Sequence, residues 1–160
     1  MSRRLLLVRH AKSSWKNAAL PDLDRPLTRR GRRQARKAGR RLALRDLQPE
    51  LVLCSPARRA LKTARIICKA LGYRRRDIVV DPQLYGTSAA RLLARIRALE
   101  EGYHCVMLCG HNPELSELAR RFAPALEPLR PGRIAAFELP EESWGTVGRS
   151  EGGATRPLQL

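Results

Sequence analysis

Short apolar runs constrain this chain more than any other feature. Leu5–Val8, Leu51–Cys54 and Cys105–Leu108 are continuous, and Ile78–Val80 and Ile134–Leu139, the last interrupted by Glu138, add two further strands. Continuous runs of this length, without polar alternation, suit strands covered on both faces. The segments between them have helical period instead. Thr28 is an N-cap for a helix to about Asp46, with Ala35, Ala38, Leu42 and the preceding Leu27 facing inward. Ala57 to Leu71 is a second helix, stopped by Gly72. Thr87 or Ser88 caps a third through about Leu99, and Pro113 opens a fourth through about Phe122. The order β-α-β-α-β-α-β-α-β predicts an α/β fold: a three-layer α-β-α sandwich around a mostly parallel central sheet. At 160 residues and 43% apolar, the chain is expected to be one domain over 1–160. Its core runs from about 4 to 139, and the Gly-, Ser- and Glu-rich stretch 141–160 is expected to be a loosely structured tail.

Charge is unevenly distributed. Residues 1–80 carry 23 basic and 5 acidic side chains, residues 81–160 carry 9 and 10, and the whole chain is +17. Such a field draws anions: phosphorylated substrates, acidic proteins or nucleic acid. The Arg29–Arg45 stretch lacks the interleaved aromatics of single-strand binding platforms, so it is read as a solvated helix face and nucleic acid is not an expected partner. No apolar run approaches the ~20 residues of a membrane span. Arg9 and His10 directly follow the first apolar run, so no secretory leader is expected. Cys54, Cys68, Cys105 and Cys109 form no CxxC pair and read as reduced core thiols of a cytoplasmic protein.

In a parallel sheet, ligands bind beyond the carboxyl ends of the strands. The first strand ends in Arg9-His10. The second ends in Ser55-Pro56 with Arg58 and Arg59 in the next helical turn, and the fourth ends in Gly110-His111-Asn112-Pro113. Two histidines and two or three arginines therefore converge on one rim. Arginine offers planar multi-donor contacts to phosphate oxygens, and helix N-termini add backbone N–H groups. A neutral histidine can attack phosphorus, while a protonated one can stabilise charge on the equatorial oxygens. No acidic metal cluster and no GxxxxGK[ST] loop is present, so neither a metal nor a cofactor is expected. Of the remaining candidates, His104 reads as a strand residue, Asp24 as the local partner of Arg25, and Trp15 and Trp144 as packing residues. Asp22 and Asp24 are also candidates for a general acid on the loop after the first strand.

Val8-Arg9-His10-Ala11 resembles the Arg-His-Gly signature of the histidine phosphatase (phosphoglycerate mutase-like) superfamily. RHAKSSW, DLDRPLTRRGRRQA, SPARRALKTA and GHNPEL, in that order, are similar to the motifs of SixA-type phosphohistidine phosphatases. The resemblance covers about Leu5 to Leu139. It implies a phosphoglycerate mutase-like fold without a large lid insertion, with His10 as the nucleophile and Arg9, Arg59 and His111 completing the phosphate pocket. Arg59 is preferred to Arg58 because the family pattern Ser-Pro-x-x-Arg-Ala puts its arginine there. Ser13, Asn112 and Lys12 are further candidates for substrate binding. Two departures stand out. Ala11 replaces the family glycine, and Asp81-Pro82-Gln83-Leu84-Tyr85-Gly86 holds no glutamate where the larger members carry their proton-donating acid. An alkoxide leaving group needs that proton, whereas an imidazole leaving from phosphohistidine needs it far less. The resemblance thus implies a metal-independent phosphatase acting on phosphohistidine of a signalling or phosphotransfer protein. The alternatives are a small-molecule phosphomonoesterase of the same superfamily and a non-catalytic phosphate- or nucleic-acid-binding module.

Overall fold

The computed structural model of the chain describes residues 2–149 and 155–160. Its strands are β1 (Arg3–Arg9), β2 (Leu51–Cys54), β3 (Val79–Val80), β4 (Cys105–Gly110), β5 (Ile134–Leu139) and β6 (Arg156–Leu158). Its helices are α1 (Arg29–Leu44), α2 (Arg58–Leu71), α3 (Ala89–Arg97) and α4 (Glu114–Phe122). The six strands form one sheet in the order β3-β2-β4-β1-β5-β6. The pairs β2–β3, β2–β4 and β1–β4 are parallel, while β1–β5 and β5–β6 are antiparallel. The sheet is therefore mixed, with its parallel half carrying the site.

Alternation along the strands explains the layers. Leu5, Leu7, Leu53, Val106, Leu108 and Phe137 face the side covered by α3 and α4. Leu6, Val8, Val52, Cys54, Met107 and Ala136 face the side covered by α1 and α2. Complete burial of a Leu or Ile in such a layer contributes about 1.5–3 kcal/mol, which is why short runs suffice as strands. The predicted caps are present: the Thr28 hydroxyl accepts from Gly31 N–H at 2.9 Å, and Ser88 accepts from Arg91 N–H. Gly72 ends α2 with φ +70°, a left-handed conformation that side-chain-bearing residues avoid.

The tail corrects the expectation of loose structure over the residues described. Trp144 is fully buried, its indole N–H donates to the Tyr103 carbonyl at 2.8 Å, and the Arg3 guanidinium lies over its ring. Val147 is buried beside it, and its carbonyl accepts from Arg97. β6 then adds an edge strand through Leu158, paired with Ala136. One large aromatic and one valine bury enough apolar area to anchor a segment of otherwise polar composition. Residues 150–154 lie outside the described part. All four cysteines are free and buried. Among the described residues, no helix is long and apolar enough to cross a membrane.

Candidate active site

Strand register builds the site. β1 and β4 are adjacent, with Arg9 opposite Gly110, and His10 N–H continues the ladder to the Gly110 carbonyl at 3.0 Å. The next residues on the two strands, His10 and His111, are thereby brought side by side, with ring centroids 5.2 Å apart. β2 lies on the other side of β4, and Ser55 N–H bonds the Cys109 carbonyl. The Ser55 hydroxyl consequently sits 2.7 Å from His111 Nε2. Arg59 enters from the first turn of α2 and is nearly buried. Thr63, one turn further, accepts from Ala11 N–H and donates to the Arg59 carbonyl, tying the loop after His10 to that helix. On the other flank α1 approaches the same loop closely. A Cβ on Gly31 would lie 2.1 Å from the Lys12 carbonyl oxygen, so only glycine fits.

His10 Nδ1 lies 2.7 Å from the Ala11 carbonyl oxygen. A carbonyl can only accept, so Nδ1 carries the proton and Nε2 keeps its lone pair. Burial, reinforced by the positive charges of Arg59, Arg9 and Arg25, pulls the His10 pKa from 6.5 to about 4, against the opposing pull of the Ala11 bond. His10 is therefore neutral at pH 7. His111 falls to about 3, through burial first and then the proximity of His10 and Arg59. The sequence led to the expectation of a protonated second histidine, but among the protein's own charges His111 is neutral. An approaching anion would be needed to draw a proton onto it.

Residues outside the expected phosphate pocket complete the site. Asp22, not Asp24, is the partner of Arg25, with Oδ1 accepting from Arg25 Nε at 3.1 Å. Its Oδ2 accepts from Arg59 at 2.9 Å and from the Tyr85 hydroxyl at 2.6 Å. Those three donors, Tyr85 foremost, hold the Asp22 carboxyl well below the ordinary range. Arg25 is buried, reaches Ser13 Oγ at 2.9 Å and stacks 3.4 Å from the Trp15 ring centroid. Tyr85 sets its ring edge against His111.

The other sequence candidates make contacts of their own. Arg9 holds the Leu129 carbonyl through one terminal nitrogen at 2.8 Å. The Nε atoms of Arg9 and Arg59 are buried without a partner among the described residues. Ser13 is occupied by Arg25. The Asn112 side chain donates to Leu129 and accepts from Ser116, bracing the loop before β5 rather than the pocket. Lys12 is exposed and lines a separate groove with Arg30, Lys37 and Arg130. Arg58 is exposed on its helix, reaching only toward the Asp24 carbonyl.

The profile of the histidine phosphatase superfamily (branch 1) matches residues 5–89, more than half of the chain. The chain belongs to the histidine phosphatase superfamily. Among solved structures it is similar to a candidate phosphohistidine phosphatase SixA from Nakamurella multipartitia, with TM-score 0.83, 22% identity and coverage of 99% of this chain and 95% of that one. The protein histidine phosphatase SixA complexed with tungstate gives TM-score 0.75, 23% identity and coverage of 98% and 94%. A mycobacterial glucosyl-3-phosphoglycerate phosphatase gives TM-score 0.69, 21% identity and coverage of 99% and 98%. The mixed α/β sandwich is thus the phosphoglycerate mutase-like fold of this superfamily. Membership supports phosphatase activity, and the neighbours divide between protein and small-molecule substrates.

Proposed function

We propose that this superfamily member removes the phosphoryl group from phosphohistidine of a signalling or phosphotransfer protein through a phospho-His10 intermediate. The observation that carries the reading is the protonation pattern: a neutral nucleophilic imidazole beside a carboxylate that cannot give up a proton. His10 Nε2 bonds to phosphorus in line as the P–N bond breaks, and the substrate ring, protonated on its other nitrogen, leaves as neutral imidazole. Arg9, Arg59 and His111 hold the three equatorial oxygens, and the dianion draws a proton onto His111. The unpartnered Nε groups of Arg9 and Arg59 support this, since a buried donor without an acceptor is unfavourable until an oxyanion meets it. Water then attacks phospho-His10, releasing phosphate and restoring the imidazole.

The substrate class follows from proton supply. General acid catalysis is worth about 10²–10⁴-fold, or about 3–5 kcal/mol, to a poor leaving group. Asp22 is already ionised at neutral pH, and Tyr85, whose pKa is raised by its bond to Asp22, is a weak acid. A leaving imidazole tolerates this, whereas a sugar alkoxide does not. The four buried free thiols favour a reducing cytoplasm as the setting.

The test compares phosphate release from a histidine-phosphorylated phosphotransfer domain with release from a panel of sugar and nucleotide phosphate esters, using wild type and His10→Ala. Rapid release from phosphohistidine alone, abolished in His10→Ala, is expected. Rapid ester hydrolysis lost in the same variant would overturn the substrate and favour the small-molecule reading. Turnover surviving His10→Ala would overturn the nucleophile.

A further inference from the structure

The basic stretch read above as a solvated face is one wall of a groove. β1 and β2 run the same way, and α1 and α2 return on one face of the sheet, so the two helices are parallel with their N-termini at the active-site end. Arg32, Arg36 and Arg40 recur every fourth residue of α1 and form one row. Lys62, Arg65 and Lys69 form the facing row on α2, and Arg75 closes the far end. The α1 row spans about 12 Å, at 1.5 Å per residue. Between the rows lies a groove of about 810 Å³ floored by Ile66, Ala70 and Tyr73.

Two facts point to an occupant. No acidic side chain lines the groove, and none of its seven cations makes an ion pair, among the described residues. Two facing rows of like charge repel each other, and a ligand with carboxylates along both flanks would relieve that repulsion. The floor, however, is apolar and offers nothing to a phosphate backbone. Tyr73, its hydroxyl donating to the Asp77 carbonyl, is the one aromatic lining the groove, so there is no series of rings for successive bases to stack on. A helix laid along the groove matches both features. Its apolar stripe would cover Ile66 and Ala70, and carboxylates at its own i, i+4 spacing would fall in step with Arg32, Arg36 and Arg40.

The groove also starts beside the pocket. Lys62 is one turn beyond Arg59, and Arg32 is one turn beyond the Thr28 cap, donating to the Leu27 carbonyl. Leu27 itself is buried against Ala35 and Ile66, at the boundary between groove and site. We propose that the α1–α2 groove docks an acidic amphipathic helix of the phosphohistidine-bearing substrate protein. This rests on the substrate class proposed above. Docking would lower KM and leave kcat unchanged, because the groove touches no reacting atom.

The experiment has two readouts. Fluorescence anisotropy follows a labelled helical peptide with Glu flanking a Leu/Ala stripe, its Gln-for-Glu counterpart, and a duplex DNA. The proteins are wild type, Arg36→Glu/Lys69→Glu, and Arg91→Glu/Arg121→Glu as a control of equal charge change on the opposite helical layer. The acidic peptide is expected to bind wild type and the control alike, and to bind the groove variant about tenfold or more weakly. The Gln peptide should bind poorly throughout. Absence of peptide binding, equal loss in the control, or tighter binding of DNA through the same two residues would overturn the proposal. The second readout is hydrolysis of a short phosphohistidine peptide with and without the acidic helix attached. The helix should lower KM in wild type only. Turnover of both with the same KM would overturn the docking role. Turnover of neither, with peptide binding intact, would sink the phosphohistidine reading while the groove's preference for an acidic helix stood.

Discussion

Acidification should destabilise this protein through His10 specifically, and by a calculable amount. In the unfolded chain the imidazole takes up a proton near 6.5, whereas in the folded protein it resists until about 4. The native-state pKa is depressed, so the unfolded state binds more protons between those values. The stability due to His10 neutrality is fully present above 6.5 and is lost as pH falls toward 4. Each pH unit crossed is worth about 1.36 kcal/mol, so the loss by pH 4.5 is about 2–3 kcal/mol. Urea unfolding of wild type and His10→Gln at pH 7 and pH 4.5 isolates this contribution, since the other titrating groups are common to both. The fall in unfolding free energy should be about 2–3 kcal/mol larger in wild type. NMR titration of the His10 C2 proton gives a direct check, with an expected midpoint near 4. Parallel pH dependence in the two proteins, or a His10 midpoint near 6.5, would refute the burial and charge environment assigned to His10.

Three other substitutions probe the scaffold. Gly31→Ala drives a methyl against the Lys12 carbonyl and should lower stability by about 1–3 kcal/mol and reduce turnover, read from urea midpoints and steady-state rates. Asp22→Asn leaves the nearly buried Arg59 and Arg25 guanidiniums without their carboxylate. The pairing is half-exposed on the Asp22 side, so the loss should be about 1–3 kcal/mol, again from urea unfolding. Trp144→Ala should cost about 3–5 kcal/mol by thermal unfolding, whereas a loosely attached tail would give almost no change.

The sequence revealed the two histidines because each directly follows a buried strand, and strand ends are where parallel sheets bind ligands. It could not reveal that the strands are neighbours: β1 and β4 are about a hundred residues apart in the chain, and only the crossover topology joins them. The same limit hid the tethering role of Asp22, whose partners Arg59 and Tyr85 lie 37 and 63 residues away. Adjacency was misleading for Asp24 and Arg25. Consecutive side chains diverge, whereas the 3₁₀ turn Asp22–Asp24 brings residues three apart together. Asn112 and Lys12 lie in the right segments, but their side chains serve other contacts, which composition does not encode. Trp144 reads as a packing residue and is one, but windowed polarity hid that this single indole, able to bury about 150–250 Å², anchors the tail. Trp15, read the same way, is exposed and stacks on Arg25. The charged α1 face looked generic because its facing row is on another helix.

The local charge balance shows why a phosphoryl group suits this pocket. Arg9, Arg25 and Arg59 contribute three positive charges, Asp22 offsets one, and the two histidines contribute none at neutral pH. The net of about +2 matches a phosphoryl dianion, and a dianion is also what restores the proton affinity of His111. Asp22 is central to that balance. Held ionised by Tyr85 and two arginines, it fixes Arg59 and cannot act as a proton donor. On the proposed reading, a carboxylate held as a tether rather than an acid favours a leaving group that departs without its help.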